Sequence, residues 1–297
     1  MSPTSEAISA AHLRGHIEAL TAHGPRHFGN STAVAAALRY LRFELEAAAG
    51  HPVTVEQYSA EPDEVNLVAE LPGIDPDLPV LEVGAHWDTV EGSPGADDNA
   101  SGVAGVLAIA EALAPLGSPS RGVRFCLFGG EEGPRGEEFP GSSAHLSTVD
   151  GPVVGAIVLE MIGYRTTAPG SQRVPEQLVG MIDVPDAGDF IAVLGDEGSA
   201  DYVVAIEAAG RRAVPDLSAL ALVLPAIALP LISRSDHVPY WAKGLKGVLV
   251  TDTSEYRTPH YHRADDVLAT LDLEFAARVS AMVAAAVVDL AGPWAAR

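Results

Sequence analysis

Apolar and polar positions alternate along the chain in blocks that switch repeatedly between helical spacing and strand spacing. Apolar residues recur at helical intervals over 6–22 (Ile8, Leu13, Ile17, Leu20), and His23-Gly24-Pro25 stops that run. Ser31-Thr32 opens a second helix carrying Leu38, Leu41, Phe43 and Leu45, which Gly50 closes. Alternating or continuous apolar runs predict strands at 53–58 and 65–71. The turn-rich segment 72–79 leads into a buried strand ending at His86, and a second loop precedes a helix with Val106, Leu107, Ala110 and Leu113 on one face. Further strands are expected at 123–128, 153–160, 190–194 and 247–251. Helices are expected at 142–146, 201–209 and 272–290, the last capped by Asp272. Residues 163–188, rich in Pro, Gly and Gln, read as a long surface excursion.

Strands alternating with helices predict an α/β fold, a three-layer α/β/α sandwich around a mixed, largely parallel central sheet. No repeat, low-complexity tract or shift in composition divides the chain. Residues 1–297 are therefore expected to form a single domain, with the helical segment 1–50 packed on it.

Composition narrows the partners. Lys plus Arg number 18 against 40 for Asp plus Glu, a formal net charge of −22. Neither a phosphate backbone nor an anionic lipid surface attracts such a chain, so no nucleic acid and no membrane is expected as a partner, while cations are favoured. A hydrophobic content of 47% with 20% charged residues describes a globular protein with a sizeable core. The single cysteine, Cys126, lies in an apolar run and reads as a small core residue. The segment 1–6 lacks a basic, then apolar, leader pattern, and the most apolar stretch, 217–232, is short and broken by Pro225 and Pro230. A soluble, cytoplasmic protein is the expectation; oligomeric state is not specified.

The chemistry gathers at strand ends. His86 ends its strand in Gly84-Ala85-His86-Trp87-Asp88, and Gly95-Ala96-Asp97-Asp98-Asn99-Ala100-Ser101-Gly102 leads into the next helix. One imidazole and three carboxylates at the carboxyl end of a strand point to a metal ion rather than to a need of the fold. Four later segments repeat the pattern. Glu131 and Glu132 follow the strand 123–128, Glu160 ends the strand 153–160, Ser235-Asp236-His237 opens a short helix, and His260-Tyr261-His262 follows the last strand. Adjacent side chains at a strand end diverge, so of Glu131 and Glu132 one can hold a metal while the other faces substrate.

The ordered set of Gly84 to Asp88, Gly95 to Gly102, Gly130-Glu131-Glu132, Leu159-Glu160-Met161-Ile162-Gly163, Arg234 to His237 and Tyr261-His262 resembles the M28 family of zinc peptidases, of the co-catalytic two-zinc aminopeptidase type. The resemblance spans 84–262 and implies two Zn2+ ions per chain. His86 and Glu160 would bind one, Glu132 and His262 the other, with Asp98 bridging. Asp88 would accept a hydrogen bond from the far nitrogen of His86, and Glu131 would be the general base toward a water held between the ions. Tyr261 would donate to the developing oxyanion, and Arg234 and His237 would contact substrate. The implied activity is a metal-dependent exopeptidase, an aminopeptidase acting on peptides or small amino-acid-derived substrates.

Two departures bear on this. Glu160 stands where the family more often has Asp, and both His260 and His262 are available; the tyrosine before it selects His262. Asp97 competes with Asp98 and is otherwise a helix cap or loop brace. Arg26 and His27 read as structural or as rim residues, Asp265 and Asp266 as caps of a local turn, and His12, His16, His23, His51 and His145 as surface or satisfied core residues. Rival readings are a glutaminyl-cyclase-like acyltransferase using a single zinc, a carboxypeptidase, and a binding module on the same scaffold. Residues 163–188 and 210–232 are where substrate selectivity would be built.

Overall fold

The computed structural model describes residues 7–133, 139–149 and 151–296. Residue 6, where the sequence pattern starts the first helix, and both ends of the expected 1–297 domain fall outside them. Helix α1 (Ala10–Thr21) starts later than the pattern because the Ser9 hydroxyl accepts the His12 backbone N–H and caps it there. Helix α2 (Ser31–Ala49) is capped one residue before the expected Ser31, by Asn30, and ends as expected at Gly50, which takes a left-handed φ of 65°.

Among the described residues, eight strands form one sheet: β1 (Thr54–Gln57), β2 (Val65–Leu71), β3 (Val80–His86), β5 (Val123–Phe128), β6 (Val153–Glu160), β7 (Ile191–Gly195), β8 (Ala219–Val223) and β9 (Lys246–Thr251). Their order is β1-β2-β5-β3-β6-β9-β7-β8. The four central strands, β5, β3, β6 and β9, run parallel, and the pairs β1–β2, β2–β5 and β7–β9 are antiparallel. A separate two-residue ribbon joins β4 (Ser118–Pro119) to β10 (Trp294–Ala295).

Side-chain alternation sends each central strand into two layers. Leu81, Val83 and Ala85 of β3, with Val123, Phe125 and Leu127 of β5, pack against α1, α2, α3 (Ala100–Leu113), α5 (Ala200–Ala213) and α7 (Leu273–Leu290). The intervening Cys126 and Phe128 face the other way, toward Leu146 of α4 (Pro140–Thr148) and Tyr240 of α6 (Val238–Ala242). Cys126 is buried, as its apolar setting predicts. The three-layer α/β/α sandwich around a mixed sheet is thus the observed architecture.

That second face also carries charge. Glu82, fully buried, accepts Arg124 Nη1 at 2.6 Å, lies 3.0 Å from His145 Nε2 and accepts the Tyr240 hydroxyl at 2.6 Å. Burial pushes the Glu82 carboxyl up, but the hydrogen bond and charge of His145, the Arg124 charge and the Tyr240 hydroxyl together bring it below its ordinary value.

Two elements differ from the sequence pattern. Strand β8 is not predicted, because it is a sheet edge whose residues are only half buried and whose apolar run continues toward 232. The excursion 163–188 holds no strand or α-helix, yet it is not purely surface: Leu178 is buried with Leu224 and Ala228.

Candidate active site

Because β5, β3, β6 and β9 are parallel, their carboxyl ends lie along one rim, and the chain places a polar residue at or just beyond each end. His86 closes β3, Glu160 closes β6, Glu131 and Glu132 follow β5 by a few residues, and His262 lies beyond β9. The loop before α3 supplies Asp98. Asn99 ties that loop to the end of β6: its side-chain oxygen caps α3 at Gly102 N and accepts Met161 N, while its amide donates to Leu159 O. Gly95 must be glycine there, since its φ is 63° and an added Cβ would sit 2.2 Å from Asp98 O.

The five expected ligands converge. His86 Nε2 lies 3.2 Å from Glu160 Oε2 and 3.5 Å from Asp98 Oδ1. His262 Nε2 lies 2.8 Å from Glu132 Oε1 and 3.2 Å from Asp98 Oδ2. Asp98 therefore divides its two oxygens between two three-residue groups, His86–Asp98–Glu160 and Asp98–Glu132–His262. Glu131 stands beside the first, its Oε2 3.9 Å from His86 Nε2. His260 turns elsewhere, to Asp265 at 3.0 Å, which leaves His262 as the imidazole at the rim.

Charge is badly balanced at this rim. Burial raises Glu131 well above the usual carboxylate range; His86 opposes, and the Glu160 and Glu132 carboxylates add to the rise. Burial and then the Asp98 charge push Glu132 up to about 7, against the hydrogen bond of His262. Burial opposes protonation of His86 and His262, yet the surrounding carboxylates win: His86 is held well above its ordinary value and His262 at about 10. Asp98 is also opposed by burial and is nonetheless lowered, by hydrogen bonds to His262 and His86. Among the described residues, two imidazoles are the nearest positive charges to five carboxylates, Asp88, Asp98, Glu131, Glu132 and Glu160. That deficit is what bound divalent cations would fill.

The model of peptidase family M28 matches residues 66–287. The chain belongs to that family. It is 38% identical over 213 residues to the uncharacterized protein YfbL of Escherichia coli, an alignment covering 68% of this chain and 64% of YfbL. Its fold is similar to that of the LapA aminopeptidase of Legionella pneumophila, with a TM-score of 0.75 and 19% identity, over 98% of this chain and 74% of LapA. It is also similar to the Tannerella forsythia glutaminyl cyclase, with a TM-score of 0.70 and 19% identity, over 95% of this chain and 99% of that one.

Other rim residues refine the M28 picture. The far nitrogen of His86, Nδ1, lies 3.2 Å from the Asp88 backbone oxygen but 3.6 Å from its carboxylate. That carboxylate instead accepts the backbone N–H groups of Glu131 and Glu132, at 3.3 and 3.1 Å. Tyr261 stacks on His262 with ring centroids 3.8 Å apart, and its hydroxyl accepts Arg234 Nη2 at 3.1 Å. Arg234 also pairs with Glu255.

His237 is a correction. It does not reach the cavity; it is fully buried edge-on against Trp241, where helix α6 begins. Among the described residues neither ring nitrogen has a well-aligned hydrogen-bond partner, and burial lowers its pKa to about 3, against weak help from the Ile232 backbone. Asp266 is a second correction. It caps no isolated turn but is buried and accepts Asp97 N and Asp98 N, at 2.9 and 3.1 Å. Asp97 is a brace rather than a cap, accepting Ser101 Oγ and Gly163 N, both at 2.9 Å. Ser235, whose hydroxyl donates to Glu160 Oε2 at 2.6 Å, carried no signal in the sequence beyond its place beside Asp236-His237.

The rim opens into a cavity of about 120 Å³ that Asp98, Glu131, Glu132 and Glu160 bound on one side. Its other wall is apolar, built from Leu178 in the 163–188 segment, Phe190, Leu220 and Leu222 of β8, and Leu231 and Ile232. Arg234 and Tyr261 stand at the same cavity.

Proposed function

We propose that this M28 chain is a metal-dependent exopeptidase that removes apolar N-terminal residues from peptides, with two zinc ions as its cofactor. The observation that carries the reading is the sharing of Asp98 between two complete groups of one imidazole and two carboxylates, with ligand atoms within 4.8 Å of one another. Imidazole nitrogen and carboxylate oxygen are ordinary zinc donors. In this assignment His86, Asp98 and Glu160 hold one ion and Asp98, Glu132 and His262 the other. A bound pair supplies a Lewis acid for the scissile carbonyl and makes an attacking water more acidic.

The remaining steps belong to side chains. Glu131, beside the first group and outside both, takes a proton from the attacking water and hands it to the leaving amine. Asp88 fixes the turn that aims Glu131 and Glu132 apart, by holding both their backbone N–H groups. Tyr261 donates its hydroxyl to the oxyanion, and Arg234 orients that hydroxyl. Ser235 holds Glu160, compensating for a longer arm than aspartate would have. The apolar wall receives the N-terminal side chain, and the acidic rim receives its ammonium. Helices α1 and α2 pack on the same core and complete one folding unit with the sheet.

A glutaminyl cyclase shares the fold, so fold alone does not choose the reaction. Two filled-out ligand groups favour hydrolysis over single-zinc cyclisation. The test combines Glu131→Gln with a substrate panel. The variant should keep the metal content of the wild type and lose about 10²–10⁴-fold in turnover. The wild type should cleave a Leu-initiated peptide amide, spare its N-acetylated form, and leave an N-terminal glutaminyl peptide uncyclised. Cleavage of N-blocked peptides from the carboxyl end, or cyclisation, would replace the reading.

A further inference from the structure

A second histidine cluster lies on the helical layer, at the far end of α3 from the rim. Glu111 is twelve residues beyond the Asn99 cap, about 18 Å along the helix axis. On α1, His12 and His16 stand one turn apart on one face, with Nε2 atoms separated by 3.1 Å. Their other nitrogens are each committed. His12 Nδ1 lies 3.1 Å from Glu111 Oε2, and His16 Nδ1 lies 2.8 Å from the Tyr40 hydroxyl on α2.

We propose that His12 and His16 of α1, their Nδ1 atoms held by Glu111 of α3 and Tyr40 of α2, form a peripheral site for a divalent transition metal, zinc among them, and that the metal strengthens the tie of α1 to α3 by fixing the His12–Glu111 hydrogen bond. Nitrogens about 2.0–2.1 Å from a tetrahedral zinc are about 3.4 Å apart, close to the separation found here. Binding through Nε2 requires both Nδ1 atoms to carry the protons, and a carboxylate and a phenol oxygen are in place to accept them. An oxygen of Glu111 lies within 4.8 Å of ligand nitrogens of both histidines. The surroundings are acidic: burial and then the neighbouring Glu44 charge raise Glu111, against the pull of His12. His16 keeps a free electron pair at neutral pH, since burial and then His12 lower it to about 4. The cation thus sits among groups carried by three helices.

The test is equilibrium dialysis of the full chain against rising free Zn2+, with bound zinc counted and melting followed in parallel. His12→Gln is the main variant, because His12 is only partly buried and lies far from the rim. It should bind one zinc fewer than the wild type at saturation and keep its turnover. It should also lose the share of the zinc-dependent rise in Tm that this site supplies beyond the two rim ions, about 5 °C at zinc 100-fold above the dissociation constant of the site. His16→Gln should lose the same zinc. Equal zinc content and equal melting response in wild type and His12→Gln overturn the proposal and leave the two imidazoles sharing a proton along a chain from Tyr40 to Glu111.

Discussion

Arg26→Lys perturbs a side chain that is fully buried despite its charge. The guanidinium donates from Nε to Trp87 O at 2.7 Å, from Nη1 to Pro94 O at 2.9 Å and from Nη2 to Gly95 O at 2.9 Å. Burial lowers its pKa to about 10, opposed by the Asp266, Asp88 and Asp98 charges, so it stays ionised at neutral pH. Lysine keeps the charge but gathers its donors on one nitrogen and cannot span three carbonyls held in a fork. Two carbonyls left without a donor cost about 1–3 kcal/mol each, or roughly 2–6 kcal/mol together. Against a total stability of about 5–15 kcal/mol that is a large loss. At about 2 °C per kcal/mol, Tm should fall by roughly 4–12 °C. Arg26→Met should be worse, because it also removes the buried countercharge of three aspartates. The same carbonyls anchor the loop that ends in Asp98, so zinc retained after gel filtration should fall with stability. Thermal and urea unfolding, with metal analysis of the same samples, read both effects. A lysine variant that melts within a degree of wild type and keeps its metal would refute the reasoning.

Three further outcomes follow from the same geometry. Leu222→Asn sets an amide in the apolar wall of the cavity. Burying three more carbons favours Leu over Ala at about 0.8 kcal/mol per CH2, roughly 50-fold in kcat/KM, and the variant should erase most of that ratio while sparing the Ala substrate; equal losses on both would place the side chain elsewhere. His237 is neutral when folded, and its pKa of about 3 lies below its unfolded value, so between pH ~6.5 and ~3 only the unfolded chain takes up this proton. Stability should therefore drop as pH falls through that window, by a few kcal/mol, and His237→Phe should flatten the pH dependence of the urea midpoint; superimposable slopes would falsify this. Arg124→Met leaves Glu82 buried without its guanidinium partner and should cost about 3–5 kcal/mol in urea unfolding, with Glu82→Leu added to it restoring much of the loss. A single variant within 1 kcal/mol of wild type would show that His145 and Tyr240 suffice.

His86, Glu131, Glu132 and Glu160 were readable because each sits at or close after an apolar run in the sequence, whereas Asp98 and His262 lie in loops and were reached through the family resemblance. His86, Glu132 and Glu160 are separated by whole strands, yet parallel pairing brings consecutive strand ends to one edge, so local pattern reported long-range position. Where the contact did not pass through a strand end, the pattern misled. Asp266 looked like a turn residue because nothing near it in sequence shows that its carboxylate meets the backbone of Asp97 and Asp98. His237 follows a serine and an aspartate much as the rim residues follow their neighbours, but helix α6 turns its ring into the core. Edge strand β8 shows no alternation because its residues face a cavity on one side and are only partly covered. At Asp88 the contact differs in atom from the expected one: the backbone oxygen meets the imidazole, and the carboxylate accepts the backbone N–H groups of Glu131 and Glu132.

Strand β9 follows β7 and β8 in the chain, yet it lies between β6 and β7 in the sheet. Until it emerges from the ribosome, β7 and β8 can make only a two-stranded ribbon with no link to β6, and such ribbons are at best marginally stable. The nascent polypeptide therefore waits for β9 before the two portions of the sheet can join, a closure between distant segments of the kind that slows folding and invites chaperones. His262 follows β9 in the chain, so the rim is completed only once that joining segment has been made.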